Sequence, residues 1–185
     1  MTRAGNRLYF VGTSPSLGTE LYVSDGSVAG TGPVADLFVG SGSGLTGTSL
    51  LVASGNTLYF TGTSSTEPGC RLFRAEGNLA SCAYDPATTF LGPIMDAVVT
   101  ASGAVVFTAV RTGPSDGEEL RVLFNGQVIN VPGTDLGPGT LGSAPSELVA
   151  QGENVYFRAT DSQSGIELWQ LTLPDLAAVF RDSFE

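Results

Sequence analysis

LLVASGNTLYFT, from Leu50 to Thr61, is the stretch whose reading sets the fold. Two apolar runs, Leu50 to Ala53 and Leu58 to Thr61, flank a Gly55-Asn56 pair. Short runs rich in Leu, Val, Tyr and Phe between turn formers read as strands joined by a tight turn. The second half of the string returns along the chain as GNRLYF (Gly5 to Phe10), GNTLYF (Gly55 to Phe60), GAVVF (Gly103 to Phe107) and GENVYF (Gly152 to Phe157), with starts 50, 48 and 49 residues apart. A second string follows each: GTELY from Gly18, GCRLF from Gly69, GEELRV from Gly117 and GIELW from Gly165, at intervals of 51, 48 and 48. Two markers holding one period over four copies define a repeat array, in which each unit buries its apolar surface against its neighbours. The copies run over residues 5–48, 49–94, 95–144 and 145–180 of a single repeat domain, leaving 181–185 as a tail.

Within a copy the pattern is strand throughout, and no segment shows helical periodicity. Asp25-Gly26, Glu76-Gly77 and Asn125-Gly126 stand at matching places after the second string, where positive φ closes a hairpin. In the first copy a further strand is expected over Val34 to Phe38, before the Gly/Ser-rich loop Gly40 to Gly47. No strand equivalent to Leu50–Ala53 is expected ahead of GNRLYF, so the count comes to about fifteen. The apolar residues do not alternate as they do in a sandwich strand with one wet face. Leu8, Tyr9, Phe10 and Val11, and again Leu21, Tyr22 and Val23, put large apolar groups on both faces. Sheets covered on both sides by equivalent sheets point to an all-β fold, a β-propeller of about four four-stranded blades. A partial propeller, a β-solenoid or a sandwich of the same hairpins is the alternative. Leu176 to Phe180 returning to the first blade would close a ring; otherwise the chain extends an array or pairs with a second copy.

GTELYVSDGSVAGTGPVADL (Gly18 to Leu37), GNTLYFTGTS (Gly55 to Ser64) and GIELW (Gly165 to Trp169) resemble the bacterial ELWxxDGT repeat family, over most of the chain from Gly5 to Trp169. Glu20, Glu119 and Glu167 match the family's glutamate, while Arg71 replaces it in the second copy. Trp169 is the one match to the tryptophan. Asp25-Gly26-Ser27 is the fullest version of the DGT turn. The resemblance implies a propeller-like repeat in secreted or surface proteins and no catalytic residue. The ending from Val179 to Glu185 is similar to a short VFxDGFE tail of some exported bacterial proteins.

Composition narrows the function classes. The 185 residues carry 18 Asp and Glu against 8 basic residues, all Arg, for a net charge of −10, and no His. Lack of imidazole removes most zinc sites and the Ser/His and Cys/His nucleophile pairs. The acidic balance argues against nucleic acid, which rewards cations that displace counterions. No apolar run reaches the roughly 18 to 20 residues of a membrane span, and the first ten residues lack the apolar core of a signal peptide.

Cys70 and Cys82 lie either side of the Glu76-Gly77 turn, so a hairpin there is expected to bring them into a disulfide, which implies an oxidising compartment. The recurring Glu20, Glu119 and Glu167 invite an acid/base reading, but residues repeated one per blade are better suited to accepting hydrogen bonds from a neighbouring loop. Asp161, Ser162, Ser164 and Glu167, or Asp116, Glu118 and Glu119, offer oxygen atoms to calcium, though neither set follows the EF-hand spacing, and a solvated acidic loop is the expectation. No other cofactor is expected. The reading that results is a non-catalytic secreted or cell-surface module that binds protein or glycan through loops on a rigid β framework, as a monomer or self-associating through open blade edges. The alternative is a carbohydrate-active enzyme with acidic residues in the channel.

Overall fold

The structure, a computed structural model, describes residues 1–89, 91–111, 116–129, 131–134, 136–137, 142–161 and 165–174. The chain divides into two compact units, Met1–Leu91 and Gly92–Glu185. The first holds one sheet of β1 (Thr2–Ala4), β2 (Arg7–Ser14), β3 (Gly18–Ser24) and β4 (Gly32–Pro33), and a second of β5 (Leu51–Ser54), β6 (Thr57–Thr61), β7 (Leu72–Glu76) and β8 (Leu79–Cys82). The second unit, with Leu91 from the first, holds a third sheet of β9 (Leu91–Val99), β10 (Val105–Arg111), β11 (Asp116–Phe124) and β12 (Gln127–Ile129). Its fourth sheet is β13 (Ser146–Gln151), β14 (Asn154–Asp161) and β15 (Gly165–Thr172). In every sheet the strands lie side by side in chain order, and the described residues form fifteen strands and no helix.

The four sheets share an equivalent cross-strand register. The motif phenylalanine sits opposite an equivalent residue on the next strand each time: Phe10 faces Tyr22, Phe60 faces Phe73, Phe107 faces Arg121 and Phe157 faces Trp169. In the first two sheets these pairs are stacked rings, with centroids 5.8 and 5.5 Å apart. Because side chains alternate along a strand, each sheet has a front face carrying the motif phenylalanine and a back face carrying the residue before it.

Packing inside each unit follows one sense. In the second unit, Ala104, Val106, Leu120 and Val122 on the back of the third sheet form a continuous core with Val155, Phe157, Ala159 and Leu171 on the front of the fourth. In the first unit, Thr2 and Tyr9 on the back of the first sheet donate to the second sheet's backbone, Thr2 Oγ1 to Leu51 O at 3.0 Å and Tyr9 Oη to Gly77 O at 3.2 Å. Leu58, Phe60, Phe73 and Ala75 on the front of the second sheet are fully buried. The turns repeat the arrangement: Gly5 N donates to Gly55 O at 2.9 Å, and Ala101 N to Gly152 O at 3.0 Å.

Several local expectations change. A strand does precede GNRLYF, since Thr2, Arg3 and Ala4 pair with Tyr9, Leu8 and Arg7. The fourth strand of the first copy is Gly32–Pro33 rather than Val34–Phe38. Pro33 has no N–H for a ladder, and after Val34 N bonds Leu21 O the chain turns to wrap a buried carboxylate. The β7–β8 turn is Gly77-Asn78, one residue later than read from sequence. Asn125 and Gly126 have φ of 50° and 77° and close the β11–β12 hairpin as expected, a mirror-image turn that suits the twist of paired strands. Leu176 to Phe180 and the tail 181–185 lie outside the described residues.

Candidate functional site

Two of the three repeated glutamates are wholly buried. Glu20 on β3 and Glu119 on β11 each have 0% exposure, which a carboxylate tolerates only when its oxygens are hydrogen-bonded. Their donors come from the crossover loop that leaves the same sheet. Glu20 Oε1 accepts from Phe38 N at 3.2 Å and from Gly44 N at 2.9 Å. Glu119 Oε1 accepts from Gly137 N at 3.0 Å, and its Oε2 accepts from Leu136 N at 3.3 Å and, at very short range, from the Ser143 hydroxyl. Donors thus stand 18 and 24 residues after the glutamate in both copies.

The clamped loop is then tied in two further directions. Leu45 N donates to Thr19 O at 3.0 Å, and Ser143 N and Ala144 N both donate to Glu118 O at 3.1 Å, so each loop is bonded beside its own glutamate. Gly44 O accepts from Thr63 N at 2.8 Å and Ser143 O from Thr160 N at 2.9 Å, which joins the loop to the following sheet. The glutamate is therefore a latch: it satisfies loop N–H groups that would otherwise be buried unpaired, and the latched loop fixes one sheet on the next.

The copies differ at one position. Where the Glu119 latch has Ser143, the Glu20 latch has Gly44, and a Cβ there would come within 2.6 Å of Glu20 Oε2 and 2.7 Å of Leu37 Cβ. Glu20 Oε2 and Asp36 Oδ1 are both buried and accept no hydrogen bond from the protein. Burial pushes the Glu20 carboxyl above its ordinary 4.5. The Gly44, Phe38 and Leu37 N–H groups pull it back, and the Asp36 charge raises it again. A raised folded-state value means that this group's contribution to stability is complete below 4.5 and is lost as pH rises through the raised value. Glu20→Gln keeps an acceptor for the two N–H groups and removes the ionisation. As pH rises from about 4, the wild-type chain is expected to lose stability relative to the variant in urea titrations; parallel pH profiles would contradict the assignment.

Glu167 does not form this latch among the described residues and is exposed. Arg71, at the equivalent place in the second copy, turns its Nη1 to Pro68 O at 2.9 Å and Cys70 O at 3.0 Å. The same copy holds a covalent link: Cys70 and Cys82 form a disulfide, Cys70 being fully buried. Cys82 pairs with Phe73 in the ladder, so Cys70 reaches it from before β7 rather than from the paired position. Closing this loop of about 13 residues is worth about 3 kcal/mol by chain entropy, and Cys70→Ser is expected to lower the urea midpoint by about that free energy.

The remaining motif residues serve local structure. Asp25 Oδ1 accepts from Ser27 Oγ at 2.7 Å and Ser27 N at 2.9 Å, which lowers its carboxyl pKa and shapes the turn at Gly26. Trp169 packs on the second unit's core while its Nε1 donates to Ala159 O at 3.2 Å. Of the calcium candidates, Glu119 is a latch, Ser162 and Ser164 lie outside the described residues, and no group of three or more His, Cys, Asp or Glu among the described residues is arranged to hold a metal ion. A depression in the second unit, bordered by Ser143, Ser146, Arg158, Thr160 and Ile166, measures about 120 Å³. That is well below the roughly 300 to 1,000 Å³ of small-molecule sites. Its Arg158 is held by Glu147 at 2.5 Å.

Searches against family models, curated proteins and solved structures give no match. The latch partners Leu136, Gly137, Ser143, Phe38 and Gly44 were not singled out from sequence. The trace they leave there is the spacing alone.

Proposed function

We propose that the chain is a non-catalytic binding or scaffold module of the ELWxxDGT repeat type, secreted or at a cell surface, whose propeller-type blades present loops to a protein or glycan. The observation that carries this reading is the use of Glu20 and Glu119. The recurring carboxylates that an acid/base mechanism would call upon are enclosed by loop N–H groups, so their recurrence follows from architecture. The Cys70–Cys82 bond favours an oxidising compartment, and no helix of the described residues is long and apolar enough to cross a membrane.

The test is to run the chain through gels containing soluble polysaccharides and, in parallel, to assay the same polymers for new reducing ends. The expected result is retardation by an acidic-surface-compatible neutral or basic glycan without release of reducing ends. Reducing-end release that Glu119→Gln abolishes would replace this reading with the carbohydrate-active one.

A further inference from the structure

The β11–β12 hairpin joins the strand that carries Glu119 to the loop that Glu119 clamps. Its ladder ends on the pair Phe124 and Gln127, so Asn125 and Gly126 stand outside it as the two central residues of the turn. Both are exposed. Asn125 has a φ of 50°, and its carboxamide has no hydrogen-bond partner among the described residues.

Of the asparagines in the chain, Asn125 alone is followed by glycine; Asn6, Asn56, Asn78, Asn130 and Asn154 precede Arg, Thr, Leu, Val and Val. Two of these others are held by their side chains. Asn78 Oδ1 accepts from Arg7 Nη1 at 3.1 Å, and Asn154 Oδ1 from Thr172 Oγ1 at 2.7 Å. A backbone nitrogen reaches the preceding carboxamide carbon most readily where no Cβ crowds the approach, and glycine is the residue without one.

We propose that Asn125 is a site of spontaneous covalent modification, at which the Gly126 amide nitrogen attacks Asn125 Cγ and the resulting isoaspartate opens the β11–β12 hairpin. In the first step the N–Cγ bond forms and the Cγ–Nδ2 bond breaks, and the Gly126 amide proton leaves with the Nδ2 group as ammonia. Water then opens the cyclic imide at either carbonyl, leaving aspartate or isoaspartate, with nothing oxidised or reduced. The isoaspartyl product runs the main chain through the former side chain and lengthens the turn by a carbon atom. Turn length sets the register of a hairpin, so Phe124, Leu123 and Val122 lose their fixed partners Gln127, Val128 and Ile129. Past β12 the chain continues to Val131 in the second unit's core, and then to Leu136 and Gly137, whose N–H groups Glu119 holds. Opening the hairpin therefore loosens the Glu119 latch. The inference holds whether or not the loops bind glycan or protein.

The test is to age the full chain in warm, mildly alkaline buffer, map its peptides by mass, and follow hydrogen exchange before and after. The peptide holding Asn125 is expected to exchange its amide for an acid and to split into two products of equal mass, aspartate and isoaspartate. Those holding Asn6, Asn56, Asn78 and Asn154 are expected to convert on the order of ten times more slowly, the ratio that a modest difference in barrier produces. Exchange in the aged chain is expected to quicken over Gln127–Ile129 and at Leu136 and Gly137. Asn125→Gly removes the carboxamide while a Gly-Gly pair still suits the turn, so the aged variant shows neither change. An Asn125 amide that survives as long as the others overturns the proposal. So does isoaspartate that forms without altering exchange in β12, and so does quickened exchange that appears equally in the aged Asn125→Gly chain.

Discussion

Glu119→Ala is expected to lower unfolding free energy by about 4 kcal/mol, a large fraction of the roughly 5 to 15 kcal/mol by which domains are stable. The substitution leaves Leu136 N, Gly137 N and the Ser143 hydroxyl without their acceptor. An orphaned buried donor costs about 1 to 3 kcal/mol, and the sum for three is reduced because the smaller side chain lets water in. The loss extends beyond the pocket. Ser143 also carries the bonds to Glu118 and Thr160, so releasing the loop loosens the junction between the third and fourth sheets. Glu119→Gln, which retains one acceptor oxygen and can still be met by a backbone N–H, is expected to cost about half as much. Urea denaturation followed by Trp169 fluorescence reads both values. A Glu119→Ala loss below about 1 kcal/mol would mean the glutamate is not what holds the loop.

Phe157→Ala is expected to cost about 3 to 5 kcal/mol through a cavity rather than through lost hydrogen bonds. Phe157 is 1% exposed on the front of the fourth sheet, in the same cluster as Val106, Leu120 and Val122 of the third. The neighbours are fixed on two hydrogen-bonded ladders and cannot collapse into the space. Phe157→Leu, which preserves most of the volume, is expected to recover the greater part of the loss. If the alanine variant were as stable as the wild type, the two sheets would not be packed through this residue. Glu119→Ala and Phe157→Ala act on one junction, so their combined effect is expected to fall short of the sum.

The strands and hairpins were legible because their signals are local. Gly55-Asn56 between two apolar runs, and Asn125-Gly126 after GEELRV, encode turns within a few residues, and both stand where they were expected. The disulfide was legible for the same reason, with Cys70 and Cys82 close in sequence around one hairpin. The boundary of the fourth strand in the first copy was not, because Val34 to Phe38 is strand-like by composition. It is drawn off by Glu20, whose carboxylate competes for its N–H groups. The structural role of the glutamates was anticipated from their period, but the donors were not, since 18 to 24 residues of Gly-rich loop give no sign of which N–H turns inward.

By itself, the sequence determined the unit: a period near 50, antiparallel hairpins, apolar residues on both faces and a glutamate in the third strand of most copies. Tertiary structure decided what each copy does with it. Glu20 and Glu119 are buried while Glu167 is exposed, and Leu120 is enclosed while Leu168 faces solvent. These residues carry the same local code. They differ in whether a neighbouring sheet and its loop lie over them, and burial is a property of that neighbour, which no short stretch of chain can specify.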